Sequence, residues 1–182
     1  MNLIEITEKK YSVTIELAYA SKNNFTKKKI YKNAKCFIHK SAEPFLVSAI
    51  NIAQKLGYKI KIYDAFRPTE AQKILWDFHP DKNFITPPSI GSPHSRGIAI
   101  DLTLMKNSKI LDMGTNFDYL HKESYHGDSN ISLAAQKNRI ILLGIMTTAG
   151  WDFYKNEWWH YQLFNSKKWP LINDKIEKTK IM

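Results

Sequence analysis

Ser92-Pro93-His94-Ser95-Arg96-Gly97-Ile98-Ala99-Ile100-Asp101 is the stretch on which the reading of this chain turns. Residues 96–104 alternate as a strand does: Ile98, Ile100, Leu102 and Leu104 share one face, Gly97, Ala99, Asp101 and Thr103 the other. An acid flanked by Gly, Ala and Thr sits on a face cleared for something to approach, so Asp101 is expected to point into a site. His94 stands seven positions earlier, an odd separation that would turn it away from Asp101 on a continuous strand. A turn at Ser95 to Gly97, where glycine permits unusual backbone angles, is needed to bring the two together.

Near the other end, Glu157-Trp158-Trp159-His160 answers this stretch. As a strand it places Trp158, His160 and Gln162 on one face and Trp159 and Tyr161 on the other, with Glu157 in the turn leading in. The two segments supply two imidazoles, a carboxylate able to bind a metal and a carboxylate left over. That is the minimum kit for hydrolysis by a single zinc ion, with three protein ligands, an open position for water and a base. The spacing differs from the helical His-Glu-x-x-His arrangement, so Glu157 suits a base better than a ligand. Asp64 is a third unusual residue, in phase with Ile60 and Ile62 on the expected buried face of Lys59-Ile60-Lys61-Ile62-Tyr63-Asp64. A buried carboxylate needs a partner, and Arg67 is near enough along the chain to be one. Oriented by Asp64, the Arg67 guanidinium is placed to stabilise the oxyanion that forms when water attacks a carbonyl.

Working outward, residues 11–17 alternate and are β-branched, which predicts a strand, and residues 19–33 are polar and irregular. Ser41-Ala42-Glu43-Pro44 opens a helix that Gly57 stops; a second strand (59–64) and a helix from Pro68 to about Phe78 follow. A loop over 79–91, the strand from Arg96, an irregular connection over 106–130, a helix over 132–147 and a strand over 158–164 complete the chain. Helices mixed with separate strands, not regular βαβ units, predict an α+β fold. We expect a single domain over 1–182, core 11–165, with a central, mainly antiparallel sheet packed by helices and the site in a cleft on the sheet.

At 182 residues the chain can bury a proper core without staples. The single cysteine, Cys36, excludes an internal disulfide framework and reads as a small buried thiol. The N-terminus lacks a basic region followed by an apolar core, and no apolar run is long enough to span a bilayer, so a cytoplasmic protein is expected. The formal net charge is +10. Its lysines are scattered, densest at Lys27-Lys28-Lys29, Lys32 and Lys35, and no nucleic-acid-binding motif accompanies them, so a solvated face is expected and no specific nucleic-acid partner.

Tyr63-Asp64-Ala65-Phe66-Arg67-Pro68, the Ser-x-His-x-x-Gly-x-Ala-x-Asp run into Leu102-Thr103-Leu104, and Glu157-Trp158-Trp159-His160-Tyr161 resemble the zinc D-alanyl-D-alanine dipeptidases. Further matches to that family, whose members include the VanX-type enzymes, are Tyr19-Ala20 with Asn24-Phe25-Thr26, Met113-Gly114-Thr115 with Phe117-Asp118, and Asn138-Arg139 leading to Met146. The resemblance implies one Zn2+ per chain, held by His94, Asp101 and His160. It implies Glu157 as the base that then protonates the leaving amine, and Arg67 at the transition-state oxygen. Asp118 would receive the free ammonium of a small D-amino-acid dipeptide, with Ser92 and Tyr19 lining the pocket and Asp64 in support. The 79–91 loop is shorter than expected for the vancomycin-resistance members, and Pro93 stands where they tend to carry serine. Alternative readings are a D,D-carboxypeptidase on longer cell-wall peptides, or an inactive zinc-bearing wall-binding module.

Overall fold

The computed structural model describes residues 2–182. In chain order its elements are β1 (Leu3–Ile6), α1 (Glu8–Tyr11), β2 (Thr14–Ile15), β3 (Cys36–His39), α2 (Glu43–Lys55), β4 (Lys59–Asp64) and α3 (Thr69–Phe78). After a 3-10 turn at His94–Arg96 come β5 (Ala99–Lys106), β6 (Lys109–Ile110), α4 (Leu133–Thr148), β7 (Asp152–Phe153), β8 (His160–Gln162) and α5 (Asp174–Glu177). The main sheet runs β2-β4-β5-β8-β7, with β6 paired to β5, and only the β2–β4 pairing is parallel. The fold is α+β, with helices packed on a mainly antiparallel sheet.

Several local expectations are corrected. Residues 11–17 are not one strand: Tyr11 ends α1, and Ser12 at φ 54 breaks the run, leaving only Thr14–Ile15 in the sheet. β1 and β3 form a separate antiparallel ribbon that alternation did not reveal, because Cys36, Phe37, Ile38 and His39 are all buried. A strand covered on both faces shows no period of two. α2 begins where expected, but its N-cap is Ala42, whose side chain caps nothing, with Pro44 in the first turn. At its end the Gly57 N–H donates to Gln54 O and the Tyr58 N–H to Ala53 O, a closure that needs the left-handed Gly57 (φ 78).

β5 is buried on both faces, and Ile98, Ile100, Leu102 and Leu104 join a core with Leu46, Ala49, Leu142, Met146 and Trp151. Leu3 and Ile6 at one end and Ile172 and Ile181 at the other belong to the same core, which thus extends past residues 11–165. Cys36 is buried, and burial pushes its thiol far above the usual range, as befits an inert packing residue. Among the described residues no helix is long and apolar enough to cross a membrane.

The β4–β5 register matters most. Ile60 faces Leu104 and Ile62 faces Leu102, but the next pair is Asp64 with Asp101, a β-bulge that absorbs Tyr63. Residues paired across a ladder share a face, so Asp64 is not in phase with Ile60 and Ile62 as the sequence suggested. The extra residue rotates it onto the face of Asp101. On the other side Asp101 pairs with His160 of β8. Three neighbouring strands thus present Asp64, Asp101 and His160 in one row.

Candidate active site

His94 joins this row from the 3-10 turn before β5. The turn closes on Gly97, at φ 68, where an added Cβ would come within 2.7 Å of the Leu3 side chain and 3.2 Å of the His39 backbone nitrogen. Glycine is required there for angle and space alike, and the expected turn at Ser95 to Gly97 is present. His94 Nε2, Asp101 Oδ1 and His160 Nδ1 then form a triangle with edges of 3.2, 3.1 and 3.0 Å, all three residues buried. Neighbouring ligands of a tetrahedral ion with bonds of about 2.0–2.1 Å lie roughly 3.3 Å apart, so the donor set fits a small tetrahedral cation such as zinc.

Both imidazoles are held by their other nitrogen. His94 Nδ1 lies 2.6 Å from the carbonyl oxygen of Ala65, and His160 Nε2 lies 3.1 Å from Oε1 of Gln162. With the ring proton on those nitrogens, lone pairs are left on the atoms of the triangle. Gln162 was placed on the His160 face by the alternation, but nothing in the sequence marked it as an orienting partner. Burial alone would raise the Asp101 carboxyl; the facing His94 and His160 rings hold it well below the usual carboxylate range.

Arg67 is buried beside the triangle. Its Nε donates to Asp64 at 2.8 Å, Nη1 to Gln72 Oε1 at 3.0 Å and Nη2 to Asp101 Oδ2 at 3.3 Å, while its guanidinium lies 4.8 Å from the Tyr19 ring centre. The Asp64–Arg67 pairing expected from the sequence is therefore present. Tyr31 adds a hydroxyl donated to the other Asp64 oxygen at 2.8 Å, and Gln72, on the buried face of α3, donates onward to Thr86 O. Neither was expected: Tyr31 lies in the stretch read as irregular, and Gln72 is in a helix without any motif.

Glu157 occupies the turn into β8, its Oε2 3.8 Å from His160 Nδ1. Burial pushes its carboxyl up to about 8, and the Asp101 and Asp118 carboxylates add to the rise against His160 and Arg67. Trp158 does not share a face with His160 as predicted. Regular pairing starts only at His160; Trp159 lines the cavity, and Trp158 turns its Nε1–H to Thr115 Oγ1 at 2.8 Å. Asp118 adopts φ 61 and accepts from the Tyr19 hydroxyl at 3.1 Å, with the Phe25 backbone also against its carboxylate, while Oδ2 is buried without a hydrogen-bond partner among the described residues. Burial pushes its carboxyl up to about 7. Ser92 also lines the cavity, with its oxygen accepting from the His94 N–H at 3.2 Å.

These groups surround a cavity of about 250 Å³, closed on the apolar side by Phe25, Leu75, Phe84, Ile85 and Leu120. The wall carrying Asp118 is fixed by Arg139, whose guanidinium donates to the carbonyls of Met113, Tyr125 and Glu123 at 2.7, 3.0 and 2.8 Å. Asn138 adds a bond to Asp112 O at 2.8 Å. Arg139 and Asn138 thus tie the 106–130 connection to α4 at residues 112–113, 123 and 125.

The D-ala-D-ala dipeptidase family, peptidase M15, matches residues 2–181. A D-alanyl-D-alanine dipeptidase of Escherichia coli is 44% identical over 163 residues, covering 89% of this chain and 84% of that protein. One from Enterococcus faecalis is 31% identical over 182 residues, covering 88% and 90%. A crystal structure of a vancomycin-resistance D,D-pentapeptidase with Zn(II) overlays with a TM-score of 0.48 at 16% identity, covering 75% of this chain and 77% of that one, too distant to bear on the chemistry. A match along nearly the whole chain, and relatives of comparable length, make this protein a peptidase of the D-ala-D-ala dipeptidase family.

Proposed function

We propose that the chain hydrolyses the D-alanyl-D-alanine dipeptide to free D-alanine with one zinc ion held by His94, Asp101 and His160. The reading of a dipeptide, and not a longer peptide, is supported by Asp118: a buried carboxylate oxygen with no hydrogen-bond partner among the described residues, on the wall of a small cavity, is a socket for a cation. The free ammonium of a dipeptide is such a cation. A carboxypeptidase acting on long peptides has no use for it, and a module that only binds would need neither Glu157 nor Arg67.

Zinc, when bound, supplies a Lewis acid for the scissile carbonyl and lowers the pKa of a water molecule. Glu157, buried beside His160, accepts the proton of the attacking water and passes it to the leaving amine; burial raises its affinity for the proton, so the ionised form is a stronger base than an exposed carboxylate. Arg67, oriented by Asp64 and Gln72, faces the oxygen on which charge develops. Tyr19 holds one oxygen of Asp118, leaving the other for the substrate.

Alanine release from D-Ala-D-Ala, L-Ala-L-Ala and N-acetyl-D-Ala-D-Ala tests this reading. The expected result is release from free D-Ala-D-Ala alone, abolished by a chelator and restored by zinc. Cleavage of the acetylated peptide would move the activity to the carboxypeptidases, and chelator-resistant cleavage would remove the metal.

The pH dependence carries a second expectation. Asp118 is neutral below about pH 7 and anionic above it, so ammonium binding is lost as the pH falls through that value. A dipeptide α-amino group keeps its charge up to about pH 8. KM for the free dipeptide is therefore lowest between about pH 7 and 8 and rises on both sides. Asp118→Asn removes the acid-side rise and raises KM for the free dipeptide across the whole range. An unchanged KM, or an unchanged acid limb, would take the ammonium away from Asp118.

A further inference from the structure

A dipeptide carries two charges, and Asp118 answers only one. Three carboxylates line the cavity, Asp101, Asp118 and Glu157, and its permanent cations are Arg67 and Lys82. Arg67 is already assigned to the developing oxyanion, and three of its N–H groups go to Asp64, Gln72 and Asp101, two of which are carboxylates that offset its charge. Lys82 has no hydrogen bond or ion pair among the described residues and is exposed at the cavity rim.

Its backbone position is nonetheless fixed. The carbonyl of the next residue, Asn83, accepts from the Tyr154 hydroxyl at 2.9 Å and from Asn156 Nδ2 at 3.2 Å. Both donors belong to the turn that carries Glu157. From within the loop, Asp81 Oδ1 accepts from the Asn83 N–H at 2.8 Å, and the Ile85 N–H donates to Asp81 O at 2.7 Å. Phe84 packs against Tyr125 with ring centres 5.9 Å apart, and Gln72 holds Thr86 O at 2.8 Å. A free cation is thus carried on a turn tied to the segment of Glu157.

We propose that Lys82 recognises the terminal carboxylate of the substrate, so that the two ends of the dipeptide are read by opposite charges, Asp118 and Lys82. Resting on the dipeptidase reading above, this assigns to the 79–91 loop the selection of a leaving residue with a free carboxylate. A peptide extended or amidated at that end has no charge to offer Lys82.

The test compares kcat/KM for D-Ala-D-Ala and for its C-terminal amide in the wild-type protein and in Lys82→Met. The wild type is expected to favour the free acid, and Lys82→Met to lower that acid-to-amide ratio about tenfold, chiefly through KM for the acid. Lys82→Arg, which keeps the charge, retains most of the ratio. A ratio unchanged in Lys82→Met overturns the proposal while the dipeptidase reading stands. No cleavage of either substrate by the zinc-loaded wild type would overturn the dipeptidase reading, and the Lys82 assignment with it.

Discussion

Glu157→Gln lowers kcat on D-Ala-D-Ala by about a thousandfold, within the range of 10²–10⁴ ascribed to a positioned general base, and leaves zinc stoichiometry intact. The carboxyl oxygen lies 3.8 Å from His160 Nδ1 and is not part of the triangle of three donor atoms. Removing its basicity therefore takes away the proton acceptor without removing a ligand. The amide keeps the shape of the buried side chain, so the packing of this residue is preserved. Metal content and turnover on the same preparation check this. Near-normal turnover would mean that the proton is handled elsewhere, and lost zinc would make Glu157 part of the metal site.

Arg67→Ala has the second largest effect, and it acts on two properties at once. Asp64 is fully buried, with Tyr31 and Arg67 as its partners, so deleting the guanidinium leaves a carboxylate in the interior without its counter-charge. Breaking such a pair costs about 3–5 kcal/mol, which thermal unfolding will read. Turnover falls as well, by about 10²–10³, if the guanidinium stabilises the developing oxyanion. Arg67→Lys separates the contributions. A lysine keeps a charge near Asp64 but cannot span Asp64, Gln72 and Asp101 together, so stability is largely recovered and turnover is not. Recovery of both would reduce Arg67 to a structural ion pair.

The sequence made much of this arrangement legible, for physical reasons. Gly97 was recognisable because an odd separation between His94 and Asp101 requires a turn, and glycine supplies it. α2 and α3 were readable from periodicity and breakers, since each has one exposed side. The peptidase family was legible in several motifs of different chemistry standing in one order. Less readable was whatever depends on pairing between distant segments. The bulge at Tyr63, which sets the face of Asp64, exists only in the register of β4 against β5. Gln72 and Tyr31 act through hydrogen bonds to residues outside their own elements, Gln162 through one to His160 two positions earlier on β8, and no local pattern marks a glutamine as a positioning group. The β1–β3 ribbon was hidden because β3 is covered on both sides.

Arg139 has a consequence for how selectivity and reactivity are divided. Its guanidinium gathers three carbonyls of the segment that displays Asp118, whereas the His94, Asp101 and His160 triangle rests on strand register and on the Gly97 turn. The two assemblies rest on different elements but meet at Trp158, which bonds to Thr115 and Ser124 of the wall, and at Tyr19, which touches both Asp118 and Arg67. In engineering terms, the proposed gauge and reactor share a mounting, and a change behind the Asp118 wall is expected to be felt at the turn that carries Glu157.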